Sequence, residues 1–384
     1  MAFLLALITL PPLPASARRQ VRKGTSELYL VYVGTYTGPK SQGIYAYRFN
    51  RSTKRAAALG LAAETVNPSF LAISPDQKFL FAVNEVADYG GVKSGALSSF
   101  RIDHKTGKLT FLNQVSSRGA GPCFVSVDKN GKFALLANYD GGSVADFPVL
   151  QDGRLGPASA FVQHTGHGTN PRRQQSPHAH CIRVDHNQRY AIAADLGLDQ
   201  LLVYHFDSAT GSLTPNRPPF AGVKPASGPR HFTFDPSGRF LYLVNEMAST
   251  IDAFSYDGDK GTLRPMQTIS TLPASFHGTS YAAEIAVHPS GKFLYASNRG
   301  HDSIAIFAID PAGHTLKPVG YVSTLGKFPR NFAITPDGAY LFVANQNSNK
   351  VVIFQINQKT GMLKATGQSL PVTSPVCVKF VAAE

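Results

Sequence analysis

The stretch GPRHFTFDPSGRFLYLVNE, residues 228–246, decides the fold. Phe232 and Phe234 alternate with polar neighbours, the turn DPSG follows, and a second apolar run ends at Asn245. Period-two alternation around a Pro/Asp/Gly turn reads as two antiparallel strands. The pattern recurs as PSFLAISPDQKFLFAVNE from Pro68, PCFVSVDKNGKFALLANY from Pro122 and PHAHCIRVDHNQRYAIAADL from Pro177. It returns as AEIAVHPSGKFLYASNR from Ala283 and PRNFAITPDGAYLFVANQ from Pro329. The prolines at 68, 122, 177 and 229 lie 54, 55 and 52 residues apart. A period near 50 residues points to a propeller or a solenoid.

Each copy continues into a third alternating strand: LSSFRID, SVADFPV, LLVYHFD, TIDAFSY, SIAIFAI and VVIFQIN. Gly-x-Leu turns then open a weaker fourth strand, as in KTGKLTFL, ATGSLTP, DKGTLRP and KTGMLKA. Four antiparallel strands make a propeller blade. Six copies are complete, and a seventh is split between SPVCVKFVA at one end of the chain and LYLVYVGTY with GIYAYRFN at the other. A blade shared by the two ends closes the ring and covers the edge strands. The expectation is an all-β, seven-bladed β-propeller in a single domain over residues 27–384. Its one long insertion, QHTGHGTNPRRQQS (163–176), is expected on a ring face.

The net charge of +13 favours anionic ligands by electrostatic steering. No basic run with interleaved aromatics accompanies it, so nucleic acid is not an expected partner. The three cysteines, Cys123, Cys181 and Cys377, are widely spaced in apolar contexts and read as small buried hydrophobes. Residues 1–17 pair an apolar run with Ala15-Ser16-Ala17, the pattern of a secretory leader without the usual basic start. A basic tail follows at 18–26. Export to the periplasm or the medium is expected, with a cytoplasmic location as the alternative. The apolar run is too short to span a bilayer, so no integral membrane association is expected.

After each second strand, Asn is followed by a residue placed to reach the channel mouth: Glu85, Tyr139, Glu246, Arg299 and Gln346, with Leu196 after Asp195. The Asn or Asp itself reads as a structural group bonding turn backbone. His178 and His180 flank Ala179, and i, i+2 residues of a strand share a side. Arg230 opens the next blade, and the DPSG turn returns the chain so that Glu246 lies at the same end. Arg299 follows from the blade after that. Tyr36 and Gln346 fall near the same mouth by the repeat, and His301 is a further candidate.

VGTYT (33–37), SPHAH (176–180), GPRHFTFDPSGRFLYLVNE (228–246), EIAVHPSGKFLYASNRGHDSIAIF (284–307) and PRNFAITPDGAYLFVANQNS (329–348) together resemble the β-propeller lactonase family. That family includes bacterial 6-phosphogluconolactonases and the related fungal carboxymuconate-lactonizing enzymes. The resemblance implies hydrolysis of a sugar lactone to its acid. The alternatives are a carboxymuconate-lactonizing cycloisomerase and a non-catalytic binding propeller. It also implies a catalytic set on His178 or His180, Arg230, Glu246 and Arg299. Lactone opening needs a base for water, an anion-stabilising site and an acid for the leaving oxygen. Glu246 or His178 is the expected base, and Arg230 and Arg299 are expected to hold anionic groups. His301, Glu85, Gln346 and Tyr36 are expected to touch substrate. The expected partner is a small anionic lactone, bound by a monomer or small homo-oligomer. No cofactor and no metal are expected, because the PHAH pair lacks a third ligand. No Gly-x-Ser-x-Gly elbow is present to support a serine nucleophile.

Overall fold

In the computed structural model, which describes residues 27–383, the DPSG turn joins the strands Pro229–Phe234 and Phe240–Asn245. The Asp235 carboxylate accepts from the backbone N–H groups of Arg239 and Phe240, and Gly238 takes the left-handed conformation with φ of 71°. The expected leader and basic tail lie outside the described residues.

Seven four-stranded antiparallel sheets form. Their innermost strands are Leu71–Ile73, Pro122–Val127, Ala179–Val184, Pro229–Phe234, Tyr281–Val287, Pro329–Ile334 and Pro375–Ala382. We number the blades 1 to 7 in that order. Each inner strand packs against the next, and the last packs against the first, so the ring is closed. Blade 7 joins the two ends of the chain: Pro375–Ala382 pairs with Leu28–Thr35, followed by Gly43–Asn50 and Arg55–Glu64. No helix among the described residues is long and apolar enough to cross a membrane.

Apolar strand faces meet between blades. Phe342 of blade 6 sits edge-on to Phe49 and Phe380 of blade 7, with ring centroids 5.1 and 5.0 Å apart. Four of the recurrent asparagines join blades, whereas Asn245 bonds Thr250 and Asp252 of its own blade and Asp195 accepts from the backbone of its own turn. Asn84, Asn138, Asn298 and Asn345 each donate Nδ2 to a backbone carbonyl just beyond the preceding blade's outer strand: Val66, Ser117, Thr271 and Thr324. Asn298 also accepts from the Thr271 hydroxyl at 2.7 Å. Asn298→Ala would leave these buried partners unsatisfied and should lower stability by about 2 kcal/mol, read by denaturant unfolding. An unchanged midpoint would show that the staple contributes nothing.

One irregularity positions the site. The inner strands of blades 2, 3, 4 and 6 carry a β-bulge at their second position, between Pro122 and Phe124, Ala179 and Cys181, Pro229 and His231, and Pro329 and Asn331. A bulge leaves its extra residue out of the ladder and re-aims that side chain. The extra residues are Cys123, His180, Arg230 and Arg330.

Candidate functional site

Three of those four residues, Cys123, His180 and Arg330, line a cavity of about 330 Å3. The other walls are Glu85, Tyr139, Glu246 and Arg299 from the ends of second strands, Arg173 from the long insertion, and Tyr281 and Phe328. Below it, the imidazole of His231 lies 5.1 Å from His180, edge-on to the rings of Phe70 and Phe124. Nδ1 of His231 contacts a Glu284 oxygen at 3.1 Å, and Asn331 donates to the other oxygen. These rings and the His231–Glu284–Asn331 chain form a packed layer next to His180.

Glu246 is the hub. Its Oε2 accepts from Arg230 Nε at 3.0 Å and pairs with Arg299 Nη2 at 2.7 Å, while Oε1 accepts from Arg173 Nη2 at 2.7 Å. Burial raises its carboxyl pKa, but Arg299 and Arg230, with Arg173, outweigh that and hold it well below the usual carboxylate range. Arg230 spends Nη1 on the Ala283 carbonyl at 2.7 Å, and Arg173 also donates to the Tyr139 hydroxyl. Three guanidinia are thus fixed on one anion.

His180 is buried, and burial, together with Arg230 and His231, depresses its pKa well below the ordinary value. It is neutral at neutral pH. Its Nδ1 lies 3.6 Å from the Cys123 sulfur, and among the described residues Nε2 has no hydrogen-bond partner. Burial raises the Cys123 thiol pKa far above its usual value, so the sulfur stays protonated.

Opposite this group, the Tyr36 hydroxyl donates to both oxygens of Glu85, at 2.9 and 3.0 Å. The Arg330 guanidinium lies over the Tyr36 ring, 5.4 Å from its centroid. Among the described residues Arg330 has no carboxylate within ion-pair distance and no hydrogen-bond acceptor. Phe328, two residues before it, has φ of 62°, a conformation that is strained for a residue with a Cβ. Its ring lies 5.3 Å below the Arg299 guanidinium carbon.

Of the residues expected at the mouth, the structure gathers His180, Arg230, Glu246, Arg299 and Glu85, with Tyr36 behind Glu85. His178 does not join them. Its strand begins only at Ala179 and bulges there, so the two histidines do not share a side. The His178 ring instead stacks on Tyr139 at 4.4 Å, with Nδ1 on the Tyr139 carbonyl. His301 is turned aside, bonded to Ser303 and edge-on to Phe276. Gln346 begins a short 3-10 turn and is not among the lining residues.

Sequence reasoning missed Arg173 and Arg330. The dipeptide Pro-Arg at 229–230 returns at 329–330 and signals the second. The arginines inside the one long insertion were the only sign of the first.

Residues 30–380 match the model of the lactonase family described as a 7-bladed beta-propeller. The 6-phosphogluconolactonase of Bacillus subtilis (strain 168) is 36% identical over 353 residues, covering 92% of this chain and 98% of the relative. The Pseudomonas aeruginosa periplasmic gluconolactonase PpgL superposes with a TM-score of 0.87 at 37% identity, over 93% of this chain and all of that one. A Bacteroides fragilis protein described as a candidate 6-phosphogluconolactonase superposes with a TM-score of 0.86 at 40% identity, covering 93% and 99% of the two chains. With seven blades closed through a shared terminal sheet and a family match across nearly the whole ring, the chain belongs to the β-propeller lactonases.

Proposed function

We propose that the cavity hydrolyses a sugar lactone bearing an anionic group, with 6-phosphogluconolactone as the leading substrate. The observation that carries this reading is the pairing of three guanidinia on Glu246 with a fourth, Arg330, that lines the same pocket and has no carboxylate partner among the described residues. The cavity volume, about 330 Å3, falls in the range of small-ligand sites.

In this reading Arg299 and Arg173, held by Glu246, face the lactone carbonyl and stabilise the oxyanion that forms when water adds. Because Glu246 keeps these cations already oriented, little reorganisation accompanies the developing charge. Nε2 of His180 bonds the ring oxygen as it leaves. Arg330, with no carboxylate or hydrogen-bond acceptor among the described residues, takes the substrate's phosphate or carboxylate. Arg230 and Glu246 serve the array rather than the ligand, since Arg230 spends its donors on protein. The lactone-opening names of the Bacillus and Pseudomonas relatives favour hydrolysis over cyclisation or simple binding. The leader pattern and the periplasmic relative together favour action outside the cytoplasm on an exported or external lactone.

The test is acid release in a pH-stat, with phosphorylated and unphosphorylated gluconolactone compared. Wild type should open the phosphorylated lactone faster than solvent does. Arg330→Gln should raise its KM by about tenfold and leave the neutral lactone little affected, the scale of one lost charged contact. Acid release no faster than in buffer, for either lactone, would remove the assignment.

A further inference from the structure

The VNE motif occurs twice, at 83–85 and 244–246, at the same register in blades 1 and 4. Both glutamates line the one cavity, yet their surroundings differ. Glu246 accepts bonds from three guanidinia. Among the described residues the Glu85 carboxylate accepts only from the Tyr36 hydroxyl, and no Lys, Arg or His nitrogen lies within ion-pair distance of it. A carboxylate has about four acceptor positions, so most of those on Glu85 are open while those on Glu246 are largely filled.

We propose that Glu85 is the catalytic base that activates water in this pocket, and that Tyr36 is the residue that positions it. The inference rests on the lactone-hydrolysis reading above. It divides the two carboxylates by task. Glu246 stays an anion that orders the arginines, and Glu85 exchanges a proton.

A Glu85 oxygen takes a proton from water while the water oxygen bonds to the lactone carbonyl carbon. The carbonyl π electrons move onto its oxygen, facing the arginines on Glu246. When the C=O re-forms, the bond from that carbon to the ring oxygen breaks, and the ring oxygen takes the proton back from Glu85. One water is consumed and a hydroxy acid is released, ionising at neutral pH.

Tyr36 suits the positioning role. Burial above all raises its pKa, so it remains a donor and fixes the carboxylate without neutralising it. Among the described residues, Arg330 from blade 6 and Cys123 from blade 2, which stays a thiol, also interact electrostatically with Glu85.

The experiment uses the full chain with 6-phosphogluconolactone in the pH-stat. Glu85→Gln keeps the shape and the Tyr36 bond, and should lower kcat by about 10²-fold or more with KM nearly unchanged. Glu85→Ala should recover part of its lost rate when formate is added, since formate can occupy the vacated place. Tyr36→Phe should lower kcat by about tenfold and leave KM in place. A Glu85→Gln enzyme keeping more than about a tenth of the wild-type kcat, or a loss carried by KM, overturns the assignment. A Glu85→Ala protein that folds, by its thermal transition, yet ignores formate also overturns it. Failure of the wild type itself to open any lactone would instead strike the parent reading.

Discussion

Glu246→Ala is expected to abolish measurable lactone opening, with a fall in kcat/KM on the order of 10²–10³-fold or more, and to destabilise the ring by about 3–5 kcal/mol. The reason is local. Arg230 and Arg299 are buried, and the carboxylate is their only anionic partner among the described residues. Removing one side of a buried ion pair leaves the other charge uncompensated, which costs more than the pair contributed. Arg173 is more exposed, so its share of the loss is small. Glu246→Gln keeps the shape and separates charge from volume. The pH dependence gives an independent check. The folded pKa of Glu246 is held below its unfolded value, so its stabilisation is present above the ordinary carboxylate range and is lost as pH falls through the folded value. Buried His180 acts in the same direction from about pH 6.5 downward, because the unfolded imidazole takes up the proton first. Denaturant unfolding from pH 7 downward should therefore show stability falling with pH, with a flatter acid limb in Glu246→Gln. Identical acid limbs would mean that the three arginines do not depend on this carboxylate.

Deletion of residues 375–384 is expected to be still more damaging to folding. The segment supplies the inner strand of blade 7 and seals the ring against blade 1. It buries Val376, Cys377, Val378 and Val381. Each apolar side chain of that kind is worth roughly 1.5–3 kcal/mol, against a total stability of about 5–15 kcal/mol for a typical domain. The deletion also bares the edge of Leu28–Thr35, an apolar strand ready to pair with another chain. Insoluble protein, or a broad transition at much lower temperature, is the expected outcome. A soluble truncated chain with wild-type unfolding would mean that the closure is dispensable.

Much of this architecture could be read in the residues. The repeat of strand, turn, strand and Asn, with halves of one copy at the two ends, specified the blade count and the shared sheet, because alternation of period two is directly a statement about burial. The position after each Asn also identified Glu85, Glu246 and Arg299, since strand ends converge on the channel. What resisted reading was the bulge. Alternation assumes an unbroken ladder, and that assumption wrongly paired His178 with His180. It also hid Arg330, whose Pro-Arg context matches that of Arg230. Arg173 was harder still, because an irregular insertion has no period from which to place a side chain.

The bulge at the second inner-strand position has a consequence for descent. In blades 2, 3, 4 and 6 that one backbone seat holds a thiol, an imidazole and two guanidinia, while the residues beneath it stay in register. Its occupant is outside the hydrogen-bonded ladder, so where it faces the cavity, as Cys123, His180 and Arg330 do, single-codon changes can retune which ligand is accepted without unpicking the strands, while Arg230 is tied to Glu246. Selection could thus explore new chemistries on this scaffold one seat at a time, each trial leaving the foldable remainder intact.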